Sequence, residues 1–144
     1  MTNVAVTQTT TSPPHQYCGR VLLVDKDTAT LGVIETILKR DHFQVVSKHS
    51  AEEGLKAIKV NEPFDFVISG FTLPGMNGLQ FLHQVTGHNQ RSVRILMSGG
   101  FADSDEVRRS MSGGYLNRYY SKPFCISTFR DNMKSDCAVI LQTA

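Results

Sequence analysis

From Arg20 onward, short apolar runs rich in β-branched residues alternate with segments whose apolar residues recur every three or four positions. The first spacing suits strands and the second suits the inner stripe of a helix. Regular alternation of the two is the pattern of a parallel sheet covered by helices. Val21-Leu22-Leu23-Val24 is continuously apolar, as expected of a strand buried on both faces. Asp27 or Thr28 can cap a first helix whose Leu31, Ile34 and Leu38 share a stripe. Phe43 to Val46 reads as a second strand. Ser50-Ala51-Glu52-Glu53 is a capping-box pattern ahead of a helix with Leu55 and Ile58 inside.

Phe66-Val67-Ile68 is the third strand, ending in Ser69-Gly70. Leu73-Pro74-Gly75-Met76-Asn77-Gly78 is turn chemistry, followed by a short helix carrying Leu79, Leu82 and Val85. Val93 to Met97 is a fourth strand, and a helix from about Asp103 turns Val107 and Met111 inward. Gly113-Gly114 ends that helix. Asn117 to Ser121 forms a fifth strand, with Tyr119 and Tyr120 on opposite faces. The last helix starts near Cys125 and repeats Ile126, Phe129, Met133, Cys137 and Ile140 on one side. Five strands and five helices in alternation make a doubly wound α/β domain, whose sites form at the carboxyl ends of the strands. Those ends present Asp25-Lys26-Asp27, Gly70, Ser98 and Lys122 around one crevice.

Length and composition fit this picture without sharpening it. The 144 residues suit one domain. Residues 1–17, rich in Thr and with Pro13-Pro14 near the end, are expected to be a disordered tail, and residues 18–144 the domain. A net charge of +2 with scattered basic residues gives no reason to expect a nucleic-acid partner. Three cysteines without a CxxC spacing suggest neither a disulfide frame nor a zinc site, and His15 near Cys18 is too few ligands for one. The start has neither the basic opening nor the apolar core of a signal peptide, and no run nears the roughly 20 apolar residues of a membrane span. A cytoplasmic protein is expected, with no membrane partner.

The motifs Val21-Leu22-Leu23-Val24-Asp25, Asp65-Phe66-Val67-Ile68, Leu73-Pro74-Gly75-Met76-Asn77-Gly78-Leu79, Ile95-Leu96-Met97-Ser98-Gly99 and Ser121-Lys122-Pro123-Phe124 stand in order and at matching spacing. Together they make the chain, from about Arg20 to Ile140, resemble the receiver domain of two-component response regulators. The resemblance implies a flavodoxin-like five-stranded parallel sheet of order 2-1-3-4-5 with five helices. It also implies a site. Two acidic residues after the first strand and an aspartate after the third hold Mg²⁺, and that third aspartate accepts a phosphoryl group from a histidine kinase. A hydroxyl after the fourth strand and a lysine after the fifth bind the phosphoryl oxygens. Asp25, Ser98 and Lys122 match three of these positions, and Tyr119 matches an aromatic residue that swings inward on activation.

Two positions depart from the pattern. The phosphoacceptor position is Gly70 and the second acidic position is Lys26. An acyl phosphate needs an oxygen nucleophile in line with the leaving group, and Gly70 has no side chain. Ser69 points to the other face of the strand, and Thr72 lies in the following loop without an evident base. The charge has also reversed. Three carboxylates and one ammonium carry a net charge of about minus two, whereas Asp25, Lys26 and Lys122 carry about plus one. A unit-charge pair at about 4 Å is worth about 4 kcal/mol at an effective dielectric near 20, and a divalent ion roughly doubles that. No metal and no other cofactor is therefore expected.

Lys26 either extends to solvent or pairs with Asp25 in place of the metal. A third reading has Lys26, Lys122 and Ser98 form a small anion pocket. Arg108, Arg109 and Arg118 are expected to lie on a solvated face, and Gly99-Gly100 to loosen the loop after Ser98. The function expected is a phosphorylation-independent receiver: a regulatory, protein-interaction module without enzymatic activity. Its partners would be a sensor kinase or output protein, or a second copy through the face of the fourth helix, fifth strand and fifth helix. The alternatives are a small-molecule or anion sensor using the altered pocket, and phosphotransfer through an unusual acceptor.

Overall fold

The computed structural model describes residues 18–60, 63–88, 91–99 and 105–143; the expected tail, Gly100 and the helix start at Asp103 lie outside these. The strands are β1 (Gly19–Val24), β2 (Phe43–Lys48), β3 (Phe66–Gly70), β4 (Val93–Ser98) and β5 (Arg118–Ser121). The helices are α1 (Thr28–Arg40), α2 (Ala51–Val60), α3 (Gly78–His88), α4 (Asp105–Ser112) and α5 (Ile126–Thr143). All strand pairs are parallel, in the order β2-β1-β3-β4-β5. This is the flavodoxin-like order that the resemblance implies.

Alternation along the strands splits the core into two layers. Leu22, Val24, Val67 and Leu96 pack with Phe81, Leu82 and Val107 on one side. Val21, Leu23, Ile68 and Ile95 pack with Leu31, Ile34, Phe129 and Met133 on the other. Tyr119 joins the first layer and Tyr120 the second, as adjacent strand residues must. The helix ends follow their local chemistry. Asp27 caps α1 by accepting the Ala29 N–H at 3.0 Å and the Thr30 hydroxyl at 2.8 Å, contacts that hold its carboxyl below the usual range. Ser50 Oγ accepts the Glu53 N–H at 3.2 Å, and Glu53 reaches back to the His49 N–H. Gly114, at φ +83°, closes the stop after α4.

Three expected positions differ. Met111 is 44% exposed, because α4 turns Val107 and Ser110 inward and leaves Met111 at the rim. Ile126 is 48% exposed, one turn short of where the α5 stripe meets the sheet at Phe129. Arg118 is no free surface cation: it grips Asp136 of α5 with two hydrogen bonds of 2.7 and 2.8 Å, which raise its pKa.

Candidate functional site

The sheet register fixes who meets whom. Val24 pairs with Ser69, Gly70 with Met97, and Ser98 with Ser121. Asp25, Gly70, Ser98 and Lys122 therefore converge at the carboxyl edge. They line a cavity of about 390 Å³ together with Lys26, Asp27 and Thr72. Asp25, Lys26, Gly70, Thr72, Ser98 and Lys122 all line this one cavity.

Asp25 organises the crevice. It is 5% exposed, and its Oδ1 accepts the Asp27 N–H at 2.9 Å. Its Oδ2 accepts from the Lys122 ammonium at 3.2 Å. The expected alternative, pairing with Lys26, is not what forms: Lys26 is exposed and Lys122 takes the carboxylate. Position decides this, because Lys122 follows β5 inside the crevice whereas Lys26 lies at the mouth.

Gly70 faces the same carboxylate. A Cβ built on Gly70 would lie 2.6 Å from Asp25 Oδ2 and 3.0 Å from its Cγ. Ser69 does point elsewhere: it is fully buried, and its hydroxyl donates to the Gly70 carbonyl at 2.7 Å. Ser98 is 4% exposed, and its carbonyl accepts the Lys122 N–H at 2.8 Å. The Tyr119 hydroxyl reaches that carbonyl at 3.5 Å. Thr72 is exposed at the rim.

The donor set does not fit the Mg²⁺ that the resemblance implies. Mg²⁺ is held by carboxylates in near-ideal octahedral geometry. Here one buried carboxylate is already bound to an ammonium, Asp27 is spent on the α1 cap, and position 70 offers no oxygen beyond its main chain. Among the described residues no group of three or more His, Cys, Asp or Glu could hold a metal ion.

The family model for the response regulator receiver domain matches residues 21–134. The chain belongs to this family. Among curated proteins it is similar to the cell cycle transcriptional regulator CtrA of Caulobacter vibrioides, 30% identical over 73% of this chain and 44% of that one. It is also similar to the two-component response regulator ORR22 of Oryza sativa, 34% identical over 78% of this chain and 16% of that one. The chain thus spans less than half the length of these relatives. Among solved structures, a CheY-like receiver domain protein from Methanospirillum hungatei JF-1 superposes with a TM-score of 0.78 at 26% identity, covering 87% of this chain and 98% of that one. A receiver domain protein from Clostridium thermocellum gives the same TM-score at 21% identity, covering 87% and 98%. The chain is a receiver domain of two-component signalling, and the crevice built on Asp25 lies where this fold places its sites.

The sequence left one relationship unread. It brought Asp25 and Gly70 to one edge, but nothing in it said that the carboxylate fills the space beside the glycine. The only available hint was the pairing of a missing carboxylate at position 70 with a retained one at position 25.

Proposed function

We propose that this receiver works without phosphoryl transfer, as a regulatory module that binds a signalling partner through a shape it holds constitutively. The observation that carries the reading is that the Asp25 carboxylate fills the space where a side chain at Gly70 would begin. The acceptor position has no oxygen nucleophile, and the carboxylate beside it is neutralised by Lys122 at 3.2 Å. Tyr119, half-buried against the α3-side core layer, has no phosphoryl group to bias its rotamer and acts as a fixed packing residue. The partner is a sensor kinase or an output protein, and the face made by α4, β5 and α5 is available to a second copy.

The two alternatives draw less support. An anion pocket needs uncommitted cations, yet Lys122 is paired and Lys26 is the one ammonium lining the cavity without a described ion pair. Phosphotransfer through Thr72 needs a base, and no described hydrogen bond joins its hydroxyl to a carboxylate or imidazole.

The test is incubation of the full chain with a small-molecule acyl phosphate and Mg²⁺, read by intact mass. The expected result is an unchanged mass and a melting temperature insensitive to Mg²⁺. A gain of one phosphoryl group overturns the proposal. Co-purification with the tagged chain, comparing wild type with Tyr119→Ala, then asks whether the output surface includes β5.

A further inference from the structure

Two of the three cysteines, far apart in sequence, meet at the end of the domain remote from the crevice. Cys18 stands just ahead of β1, anchored by its N–H to the His42 carbonyl at 2.8 Å. It is half-buried, and its thiol donates to the Asp41 carbonyl at 3.4 Å. Cys137 lies on the inner stripe of α5, 3% exposed, 119 positions along the chain from Cys18. The Cys137 thiol donates to the Cys18 carbonyl, and the Cys18 side chain packs on the core layer to which Cys137 belongs. The third cysteine, Cys125, is exposed at the other end of α5.

We propose that Cys18 and Cys137 form an oxidisable dithiol that closes to an intramolecular disulfide, fastening the start of β1 to α5. Both thiols are satisfied by backbone carbonyls when reduced, so the open form is stable. The Cys137 thiol touches the Cys18 main chain and interacts with the Cys18 thiol, the proximity that a disulfide requires. Their accessibilities assign the roles. Half-buried Cys18 meets the oxidant, and buried Cys137 resolves the adduct. Burial, then the charge and hydrogen bonding of the Cys18 thiol, push the Cys137 thiol up to about 12, so it stays protonated in the reduced protein and Cys18 is the first of the pair to react.

The oxidant class is a small-molecule disulfide such as oxidised glutathione. The Cys18 thiolate attacks one of its sulfurs, forming a mixed disulfide and releasing one glutathione thiolate, which takes up the Cys18 proton. The Cys137 sulfur then displaces the second glutathione, to which the Cys137 proton goes. Two thiols are oxidised by two electrons, and one glutathione disulfide is reduced to two thiols.

The experiment uses the full chain carrying Cys125→Ser, so that the exposed thiol does not interfere. After incubation with oxidised glutathione and removal of excess, non-reducing intact mass is expected to fall by about 2 Da, the two lost hydrogens. Peptide mapping should join Cys18 to Cys137, and the melting temperature should rise by about 5 °C, because the closed loop spans most of the chain. The same treatment of Cys18→Ser/Cys125→Ser should give no loss of mass. A mass that stays unchanged, or that rises by one glutathione without closing, overturns the proposal. So does a dimer linked between chains.

Discussion

The Asp25 carboxylate occupies the volume that a β carbon at Gly70 would need: a methyl group there would sit 2.6 Å from Asp25 Oδ2. Gly70 is thus matched to the present position of Asp25, which in turn is held by Lys122 and the Asp27 N–H. Gly70→Ala is expected to lower stability by about 1–2 kcal/mol, because a tethered carboxylate must shift to admit the methyl group. Denaturant unfolding measures this. In the Asp25→Ala background the same substitution should cost far less, and equal costs in both backgrounds would refute the clash.

Placing a carboxylate at position 70 should not by itself be enough for phosphoryl uptake. Gly70→Asp supplies the oxygen but leaves Lys26 at the mouth and Lys122 on Asp25, so little Mg²⁺ uptake is expected. Combining Gly70→Asp with Lys26→Asp brings back the carboxylate set. That double variant, treated with an acyl phosphate and Mg²⁺, should gain the mass of one phosphoryl group where the single variant does not.

Lys122→Met tests the ion pair. It leaves a carboxylate whose side chain is 8% exposed without its cation, while Lys122 itself is 32% exposed and partly screened. A loss of about 1–3 kcal/mol is expected. Asp25→Asn/Lys122→Met should recover much of it, since the unpaired charge is then gone.

Acid dependence should track a second clamp. Arg130 of α5 grips Asp41 after α1 with bonds of 2.8 and 2.7 Å, and these hold the Asp41 carboxyl below its ordinary range. A depressed folded-state pKa gives stability that is present above the unfolded value near 3.8 and is lost as pH falls through the folded value. Arg130→Met should therefore destabilise most above about pH 4, and the gap to wild type should close on further acidification. Denaturant midpoints between neutral pH and pH 3 read this out, and a gap independent of pH would contradict it.

Cys125 should alkylate early. Hydrogen bonds from Ser127 and Thr128 lower its thiol from 9.0 to about 7, and it is exposed. The pH profile of its iodoacetamide rate, followed by peptide mass, should have a midpoint near 7 and move upward in Ser127→Ala. A wild-type midpoint near 9 would remove the effect.

The fold was legible because strand and helix periodicities differ and the chain keeps them separate. Val21 to Val24 and Phe66 to Ile68 could only be interior strands, and Asp27 and Ser50 announced helix starts with cap chemistry. Once the strands were placed, topology delivered the crevice residues to one edge. Rotational details were less readable. Met111 and Ile126 fit an apolar stripe by spacing, but their exposure depends on where a helix leaves the sheet. The partner of Asp25 was likewise hidden, since two lysines approach the same edge and only depth separates them.

The main chain at position 70 has a second neighbour. A Cβ on Gly78 would lie 2.0 Å from the Gly70 carbonyl oxygen, and the Gly78 N–H donates to the Phe71 carbonyl at 2.6 Å. The turn leading into α3 therefore hangs on backbone atoms that exist whatever residue occupies position 70. Reactivity and architecture are wired separately at this crossing, so a change of residue at position 70 can alter the former while the outline of the domain is kept.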